Sequence, residues 1–357
     1  MFKKLFGKGN KSKTPKGFFD LTIKSIEKLT ADTVKVTLDV PSELKTKFSF
    51  TPGQYINFSV TINGNEERRS YSICSGKNED LSVAVKQVEG GKVSTWFNQS
   101  AEVNTPIFVS SPEGNFTRSD NAKNIVAIAA GSGITPIMSI AKDIEQVNGS
   151  LQLFFGSRTK ANILFKDELE SLTKTKTTHY LSAEQADDCQ NGRIDKSNFS
   201  EIIKGNLDLL KSDGFYICGP EQMISDVSES LALFGVNEDK IHYELFTAPT
   251  ILKSAGSTQE STFSGISKVK AILDDEEITF ELSSDGDTLL DKVNNEGFDA
   301  PYSCRGGVCC SCKAKVLEGK ATMKLNYALS EQEVKEGFIL TCQAQPASET
   351  LVISYDD

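Results

Sequence analysis

The stretch that decides the fold of this chain is PYSCRGGVCCSC, residues 301–312. Cys304, Cys309 and Cys312 have the spacing C-x4-C-x2-C, and Cys342 supplies a fourth thiol farther along. This spacing is typical of plant-type 2Fe–2S centres, in which four thiolates hold two irons. The sequence therefore predicts a metal centre in the last quarter of the chain, with these four cysteines as its ligands.

The rest of the loop suits such a cluster. Gly306 and Gly307 let the backbone turn tightly and direct amide groups at the sulfur atoms. Cys310 lies between two ligands and is interpreted as a bystander. A tetrahedral zinc site or plain buried thiols are the alternatives, but zinc sites usually pair C-x2-C with a second close pair.

Composition narrows the class of protein. The chain has 357 residues and a mass of 39.0 kDa, which predicts two or three domains. No apolar run is long enough to cross a bilayer, and no export signal follows the six lysines of residues 1–17. We therefore expect a basic, flexible tail on a cytoplasmic protein, which agrees with clustered thiols.

Charge is unevenly distributed along the chain. The net charge is −10, and residues 263–357 hold 9 Lys and Arg against 17 Asp and Glu. This acidity disfavours nucleic acid as a partner and suits association with a basic patch on another protein.

The pattern of apolar residues divides the chain into segments. Short alternating stretches at 33–39, 55–62, 69–74 and 81–88, broken by turn signals such as Asn63-Gly64, predict an antiparallel barrel. Apolar runs at 124–130, 151–155, 178–181, 215–218 and 241–246 alternate with helical patterns, which predicts a doubly wound parallel α/β domain. The expected limits are a tail at 1–17, the barrel at 18–118, the α/β domain at 119–247, a linker at 248–261 and the cluster domain at 262–357.

Two segments of the barrel are candidates for binding a flavin. Arg69, Tyr71 and Ser72 alternate on a predicted strand and offer a cation, a ring and a hydroxyl, although an exposed strand of this composition is common. Gly91 to Ser94 opens a helix with Ser94 as the expected N-cap, and a free helix N-terminus binds pyrophosphate. The turn favours FAD over FMN, and an ordinary glycine-rich turn is the alternative.

The α/β segment carries candidates for a pyridine nucleotide. The turn Gly131-Ser132-Gly133-Ile134-Thr135-Pro136 follows a strand and opens a helix, with Pro136 expected at the first helical position. Ser157 and Arg158 end the next predicted strand, where an arginine accommodates a 2′-phosphate, so NADPH is favoured over NADH. An exposed arginine without a ligand is the alternative reading.

In this order the motifs resemble the ferredoxin–NADP⁺ reductase superfamily, fused to a C-terminal plant-type ferredoxin domain. The resemblance covers nearly the whole chain from Phe18 onward and is closest to the reductase components of oxygenases. It implies a flavin-binding barrel, a nucleotide-binding domain and a β-grasp ferredoxin domain. Related reductases carry the ferredoxin domain first or lack it.

The resemblance also implies roles for particular residues. Ser72, Cys218 and Glu244 match catalytic positions of the family. The implied cofactor-binding residues are Arg69, Tyr71, Ser72, Gly91, Val93 and Ser94 for FAD, Gly131, Gly133, Thr135, Gly219 and Pro220 for the nucleotide, and Phe246 beside the flavin. Taken alone, Cys218 is equally well a small buried residue, and neither His179 nor His242 is expected to act in catalysis.

Three functions follow from these expectations. The first is an NAD(P)H-dependent reductase that supplies an oxygenase with electrons through FAD and a 2Fe–2S cluster; the epoxidase that acts on phenylacetyl-CoA is a candidate partner. The second is a stand-alone reductase for another soluble acceptor. The third is a non-enzymatic iron–sulfur carrier whose first two domains only dock a partner.

Overall fold

The computed structural model of the chain describes residues 14–250 and 263–356. Its strands form three sheets that follow one another along the sequence. Most of the predicted linker at 248–261 and residues 1–13 of the predicted tail lie outside the described residues. Lys16, at the end of that predicted tail, is held in place because its Nζ pairs with Asp274 at 2.8 Å.

The first sheet is antiparallel and closes into a barrel. Its elements are β1 (Phe18–Thr30), β2 (Thr33–Asp39), β3 (Tyr55–Ile62), β4 (Asn65–Ser72), β5 (Ser82–Lys86), α1 (Lys92–Gln99) and β6 (Pro106–Ser110). The strand order is β4-β3-β6-β1-β2-β5, and a bridge between Ile73 and Val83 joins the two outer strands. Asn63 and Gly64 both have positive φ, as a two-residue type I′ hairpin requires, which confirms the predicted turn.

The second sheet is parallel. Its elements are β7 (Asn124–Ala130), α2 (Ile134–Gln146), β8 (Ser150–Ser157), α3 (Lys166–Ser171), β9 (Thr175–Leu181), β10 (Gln190–Asn191), α4 (Lys196–Gly205), β11 (Gly214–Cys218), α5 (Glu221–Leu233) and β12 (Ile241–Glu244). The order β10-β9-β8-β7-β11-β12 changes direction at β7. Ligands of such sheets bind outside the carboxyl ends of the strands at this switch point, here after β7 and β11.

The third sheet lies in the predicted ferredoxin domain. Its elements are β13 (Ile266–Leu273), β14 (Glu276–Ser283), α6 (Leu289–Asn295), β15 (Lys313–Met323), α7 (Glu331–Lys335), β16 (Phe338–Leu340) and β17 (Ala344–Ser354). The order is β14-β13-β17-β15-β16, with β13 parallel to β17. Helix α6 buries Leu289, Leu290 and Val293 against this sheet. The cysteine loop runs between α6 and β15.

The predicted fold class is confirmed, and the differences are local. Strands β2, β3 and β7 have the predicted bounds, whereas β1 and β6 were not predicted. Ser94 is not an N-cap: α1 begins at Lys92 with Gly91 as its cap, and Ser94 lies in the first turn. Pro136 is the third residue of α2, not the first, because a 3-10 turn at Gly131–Gly133 leads directly into the helix.

Candidate functional site

A cavity of about 420 Å³ lies where the barrel, the parallel sheet and the cysteine loop meet, and we call it the flavin cavity because the predicted flavin-binding residues line it. Its walls contain eleven of the residues singled out from the sequence: Arg69, Tyr71, Ser72, Gly91, Val93, Ser94, Thr135, Glu244, Phe246, Cys304 and Cys309. The walls do not contain Gly131, Gly133, Ser157, Arg158, Cys218, Gly219, Pro220, Cys312 or Cys342. Residues far apart in sequence therefore converge on one space that belongs to no single domain.

Strand β4 supplies the barrel wall of the cavity. The Tyr71 ring is held edge-on by Phe58 and Phe97, with centroids 5.9 and 5.8 Å away. Burial raises the pKa of Tyr71 above its ordinary value, so the ring remains a neutral surface. Arg69 is half exposed and lies 3.5 Å from Glu67. The strand thus presents a fixed aromatic face beside a cation.

The turn before α1 forms a narrow cradle. A Cβ on Gly91 would lie 2.6 Å from Ser94 Oγ and 2.8 Å from Val88 Cγ2, so a larger residue would displace both side chains. Ser94 Oγ donates to the Gly91 carbonyl and accepts from the Val88 amide, both at 3.2 Å. The first amides of α1 have no intrahelical acceptor, which suits an anion.

Lys92 was missed by the sequence reasoning. It is the first residue of α1 and pairs with Glu67, the carboxylate that also pairs with Arg69. The hydrogen bond from Lys92 lowers the pKa of Glu67, which therefore remains ionised between the two cations. A basic residue directly after the paired glycines was the available signal.

Ser72 and Glu244 join the barrel to the parallel sheet. Ser72 Oγ donates to Glu244 Oε2 at 3.0 Å. Burial raises the pKa of Glu244 to about 8, and the bond from Ser72 acts in the opposite direction. The carboxyl group is therefore mainly protonated at neutral pH. Cys218 is paired with Glu244 across β11 and β12, and burial raises the pKa of its thiol well above the usual range.

The two turns at the switch point pack directly on each other. A Cβ on Gly133 would lie 2.1 Å from the Cys218 carbonyl oxygen, so this close approach requires glycine. Thr135 Oγ1 donates to the Ser132 carbonyl at 2.9 Å, and both residues line the cavity. Gly131 has a φ of +55°, which favours glycine at the end of β7. Ser132 was not singled out from the sequence.

The end of β8 lies apart from the flavin cavity. Ser157 is buried and its Oγ has no hydrogen-bond partner in the described part of the chain, whereas Arg158 is exposed. Glu184, three residues beyond β9, accepts from the Lys160 amide at 2.7 Å. The sequence reasoning missed this acid, whose carboxylate is engaged by that amide.

The four predicted cysteines form two pairs. The hydrogen bond with Cys309 lowers the pKa of Cys304 below its ordinary value, and Cys312 shares an equivalent bond with Cys342. Gly306 donates its amide to Cys304 Sγ at 3.3 Å. Two separate pairs suit two irons with two thiolates each, whereas a zinc ion needs all four sulfurs around one point. Across residues 14–250 and 263–356, no three Cys, His, Asp or Glu side chains are grouped to hold one ion.

Cys310 takes no part in either pair. Its thiol donates to the Ala328 carbonyl at 3.5 Å, and burial raises its pKa to about 12. The two histidines also lie outside the flavin cavity, and His242 stacks on Tyr216 with centroids 4.8 Å apart. Among the described helices, none has the length and apolarity needed to cross a membrane.

Comparison with known proteins identifies the class. The oxidoreductase FAD-binding domain matches residues 13–117, the oxidoreductase NAD-binding domain residues 127–229, and the 2Fe-2S iron-sulfur cluster binding domain residues 271–347. The chain belongs to the family of ferredoxin–NADP⁺ reductase-like flavoproteins that carry a C-terminal 2Fe–2S ferredoxin domain. It is an NAD(P)H-dependent oxidoreductase with FAD and a 2Fe–2S cluster, so the non-enzymatic carrier is excluded.

Individual relatives match most of the chain. A subunit of 1,2-phenylacetyl-CoA epoxidase from Escherichia coli (strain K12) is 35% identical over 353 residues, covering 95% of this chain and 98% of the relative. The ferredoxin reductase component of 3-ketosteroid-9-alpha-monooxygenase from Mycobacterium tuberculosis (strain H37Rv) is 30% identical, covering 89% of each chain. The solved structure of phthalate dioxygenase reductase has the same fold, with a TM-score of 0.57, 24% identity, and coverage of 95% and 98%.

Proposed function

We propose that this chain is the reductase component of an oxygenase system and passes electrons from NADPH through FAD and a 2Fe–2S cluster to a partner oxygenase. One observation carries the proposal. A single cavity is walled by the flavin strand, by the end of the nucleotide sheet and by the cluster ligands Cys304 and Cys309. Flavin and cluster sites that share a wall need no diffusing carrier between them.

The barrel residues fit FAD. Arg69, Lys92 and the free amides of α1 surround the Gly91 cradle and would hold the pyrophosphate. Tyr71 offers its fixed face to the ring system. Phe246 is 43% exposed although it lines the cavity, so its ring is available to pack on a planar aromatic group. FMN has only one phosphate, so it would not supply the diphosphate that the cradle fits.

Ser72 and Glu244 are the residues proposed to hold and transfer a proton in the site. FAD, when bound, supplies the conversion between a two-electron hydride donor and a one-electron acceptor. Glu244 holds a proton at neutral pH, and Ser72 Oγ, 3.0 Å away, can relay it to the middle of the cavity. Cys218 lies directly behind this pair and, together with Gly219 and Pro220, would form the floor under the nicotinamide.

The nucleotide is proposed to lie along the switch point. Gly131, Gly133 and Thr135 would accommodate its pyrophosphate at the start of α2. Ser157, whose buried hydroxyl lacks a partner in the described ranges, and exposed Arg158 would contact a 2′-phosphate, which supports NADPH. Cys304 with Cys309 and Cys312 with Cys342 would each hold one iron of the cluster.

The acceptor is proposed to be an oxygenase, with phenylacetyl-CoA epoxidase as the leading candidate. The support is the full-length similarity to a subunit of that enzyme. The acidic ferredoxin domain suits a basic docking face. We also propose a cytoplasmic location, and domain limits at 18–118, 119–247 and 262–357.

Anaerobic stopped-flow spectroscopy tests the electron route. We expect NADPH to bleach the flavin band first and the cluster band second, with FAD as the flavin released on denaturation. In air-saturated buffer, which supplies the O2 that an oxygenase needs, addition of purified epoxidase subunits and phenylacetyl-CoA should make NADPH consumption dependent on substrate. Protein that binds no flavin or iron after anaerobic expression would contradict the route. Turnover with another soluble acceptor but not with the epoxidase would leave the electron route intact and change only the identity of the partner.

A further inference from the structure

The cysteine loop is covered by the protein's own flavin module. Cys304, Val308 and Cys309 line the flavin cavity, and Val308 also packs against the core of the parallel sheet. A Cβ on Gly306 would lie 3.0 Å from the Cβ of Ala248, just beyond that sheet. The loop that holds the cluster is therefore part of an interface between domains.

Hydrogen bonds cross this interface at residues adjacent to the ligands. Ser303, next to Cys304, shares a hydrogen bond of 2.8 Å with Ser70. The amide of Cys310 donates to Tyr55 Oη at 3.0 Å, and Ser311 Oγ accepts from Asn57 Nδ2 at 3.0 Å. The three contacts are distributed along the loop, so they determine its position and its orientation against the barrel.

Asn57 is the centre of this buried network. Its Oδ1 accepts from Ser70 Oγ at 2.7 Å, while its Nδ2 also lies 3.2 Å from Ser110 Oγ and 3.3 Å from Glu113 Oε2. Glu113 in turn accepts from Tyr55 Oη at 3.4 Å. A buried polar network whose members satisfy one another specifies a single arrangement of the groups it joins.

Arg68 forms a second connection, independent of the first. It is only 2% exposed, although it carries a full charge. Its Nε donates to Glu66 at 2.6 Å, within the barrel, and its Nη2 to Asp299 at 2.8 Å, in the ferredoxin domain. The guanidinium also lies over the ring of Tyr302, 4.7 Å from the centroid. Since a buried charge needs its partners, separation of the domains is costly.

We infer that Arg68 and Asn57 are positioning residues that keep the cluster loop docked on the flavin cavity, so that electrons pass from flavin to cluster without domain movement. This inference rests on the electron route proposed above. Neither residue lines the flavin cavity, and both act through the loop. The docked surface is the ligand loop itself and not the far side of the ferredoxin domain. Docking therefore fixes the distance between the flavin and the cluster, which governs the rate of electron transfer.

The test separates flavin reduction from cluster reduction in the full-length holoenzyme. In anaerobic stopped-flow runs with NADPH, we expect the wild-type rate of cluster reduction to be independent of viscosity when sucrose is added. Arg68→Met should slow cluster reduction at least about tenfold, equivalent to about 1.4 kcal/mol in the docking equilibrium. The slowed phase should also become dependent on viscosity, and flavin reduction should keep its wild-type rate.

Two further variants make the result decisive. Asp299→Asn weakens the same contact from the ferredoxin side, outside the barrel, and should act in the same direction even if Arg68→Met does not fold. Lys28→Met removes an exposed charge from the same barrel and should change neither phase. The docking inference would be overturned if Arg68→Met and Asp299→Asn both reduced the cluster at the wild-type rate. It would also be overturned if cluster reduction in the wild-type protein slowed as viscosity rose. If NADPH reduced the flavin of the wild-type protein but never the cluster, the proposed electron route would be overturned instead.

Discussion

Replacement of Glu244 by glutamine should remove a proton from the site and leave its shape unchanged. Glutamine is nearly isosteric and can still accept the hydrogen bond from Ser72. The substitution therefore removes the ionisable group without changing how the side chain packs. With a pKa of about 8, Glu244 is about one-tenth ionised at pH 7 and about nine-tenths ionised at pH 9. Wild-type activity should fall across this range as the proton is lost, whereas the variant should show no such break.

The same raised pKa has a consequence for stability. The folded protein keeps a proton that the unfolded chain, with the ordinary value of 4.5, releases. The contribution of this carboxyl to the free energy of unfolding is therefore fully present below pH 4.5 and is lost as the pH rises through 8. Each pH unit between the two values is worth about 1.4 kcal/mol, so the limit above pH 8 is about 5 kcal/mol. Glu244→Gln should gain stability relative to wild type over this window.

Two assays check the prediction. Stopped-flow reduction by NADPH between pH 6 and 9.5 measures the break in rate, and thermal unfolding over the same range measures the difference in stability. Ser72→Ala is the directional control: the bond from Ser72 lowers the pKa of Glu244, so its loss should move the break to higher pH. A break near pH 8 that persists unchanged in Glu244→Gln would refute the reasoning and assign the titration to another group.

Other substitutions test the remaining parts of the site. Cys309→Ser should abolish the 2Fe–2S absorbance and leave flavin reduction by NADPH intact, while Cys310→Ser should keep the cluster; loss of the cluster in both would contradict the ligand assignment. Arg158→Gln should raise KM for NADPH about tenfold, the effect of losing about 1.4 kcal/mol of binding, with little change for NADH; equal effects on both nucleotides would remove the role of this arginine. Gly133→Ala would place a Cβ 2.1 Å from the Cys218 carbonyl oxygen, so it should destabilise the protein by about 1–3 kcal/mol and weaken nucleotide binding. Thermal unfolding measures the first effect and KM the second. An unchanged melting temperature would show that the two turns can separate without cost.

Local sequence patterns were sufficient for much of the fold. The bounds of β2, β3 and β7 follow from alternation or from a continuous apolar run, because these strands bury one or both faces along most of their length. Strand β1 was missed although it is 13 residues long, since its second half is largely exposed and carries no regular alternation. Its position is set by pairing with β2 and β6, and partners distant in sequence leave no local signal.

The candidate site shows the same division. The spacing of Cys304, Cys309 and Cys312 and the order of the flavin and nucleotide motifs are properties of the sequence, because each ligand imposes its geometry on a few neighbouring residues. Lys92 had a signal that was overlooked. Asn57 and Arg68 had none, since their proposed positioning role depends on contacts with residues more than 200 positions away.

By itself, then, the sequence determined the kinds of chemistry present: four thiols at the spacing of a two-iron cluster, a flavin strand and a nucleotide turn. Tertiary structure decided how they are connected. It divided the cysteines into two pairs, placed Glu244 against Ser72 across two domains, and buried Arg68 between the barrel and the ferredoxin domain. The physical reason is that ligand spacing is a short-range property of the backbone. Burial, pKa and docking depend on which distant surfaces exclude water from one another.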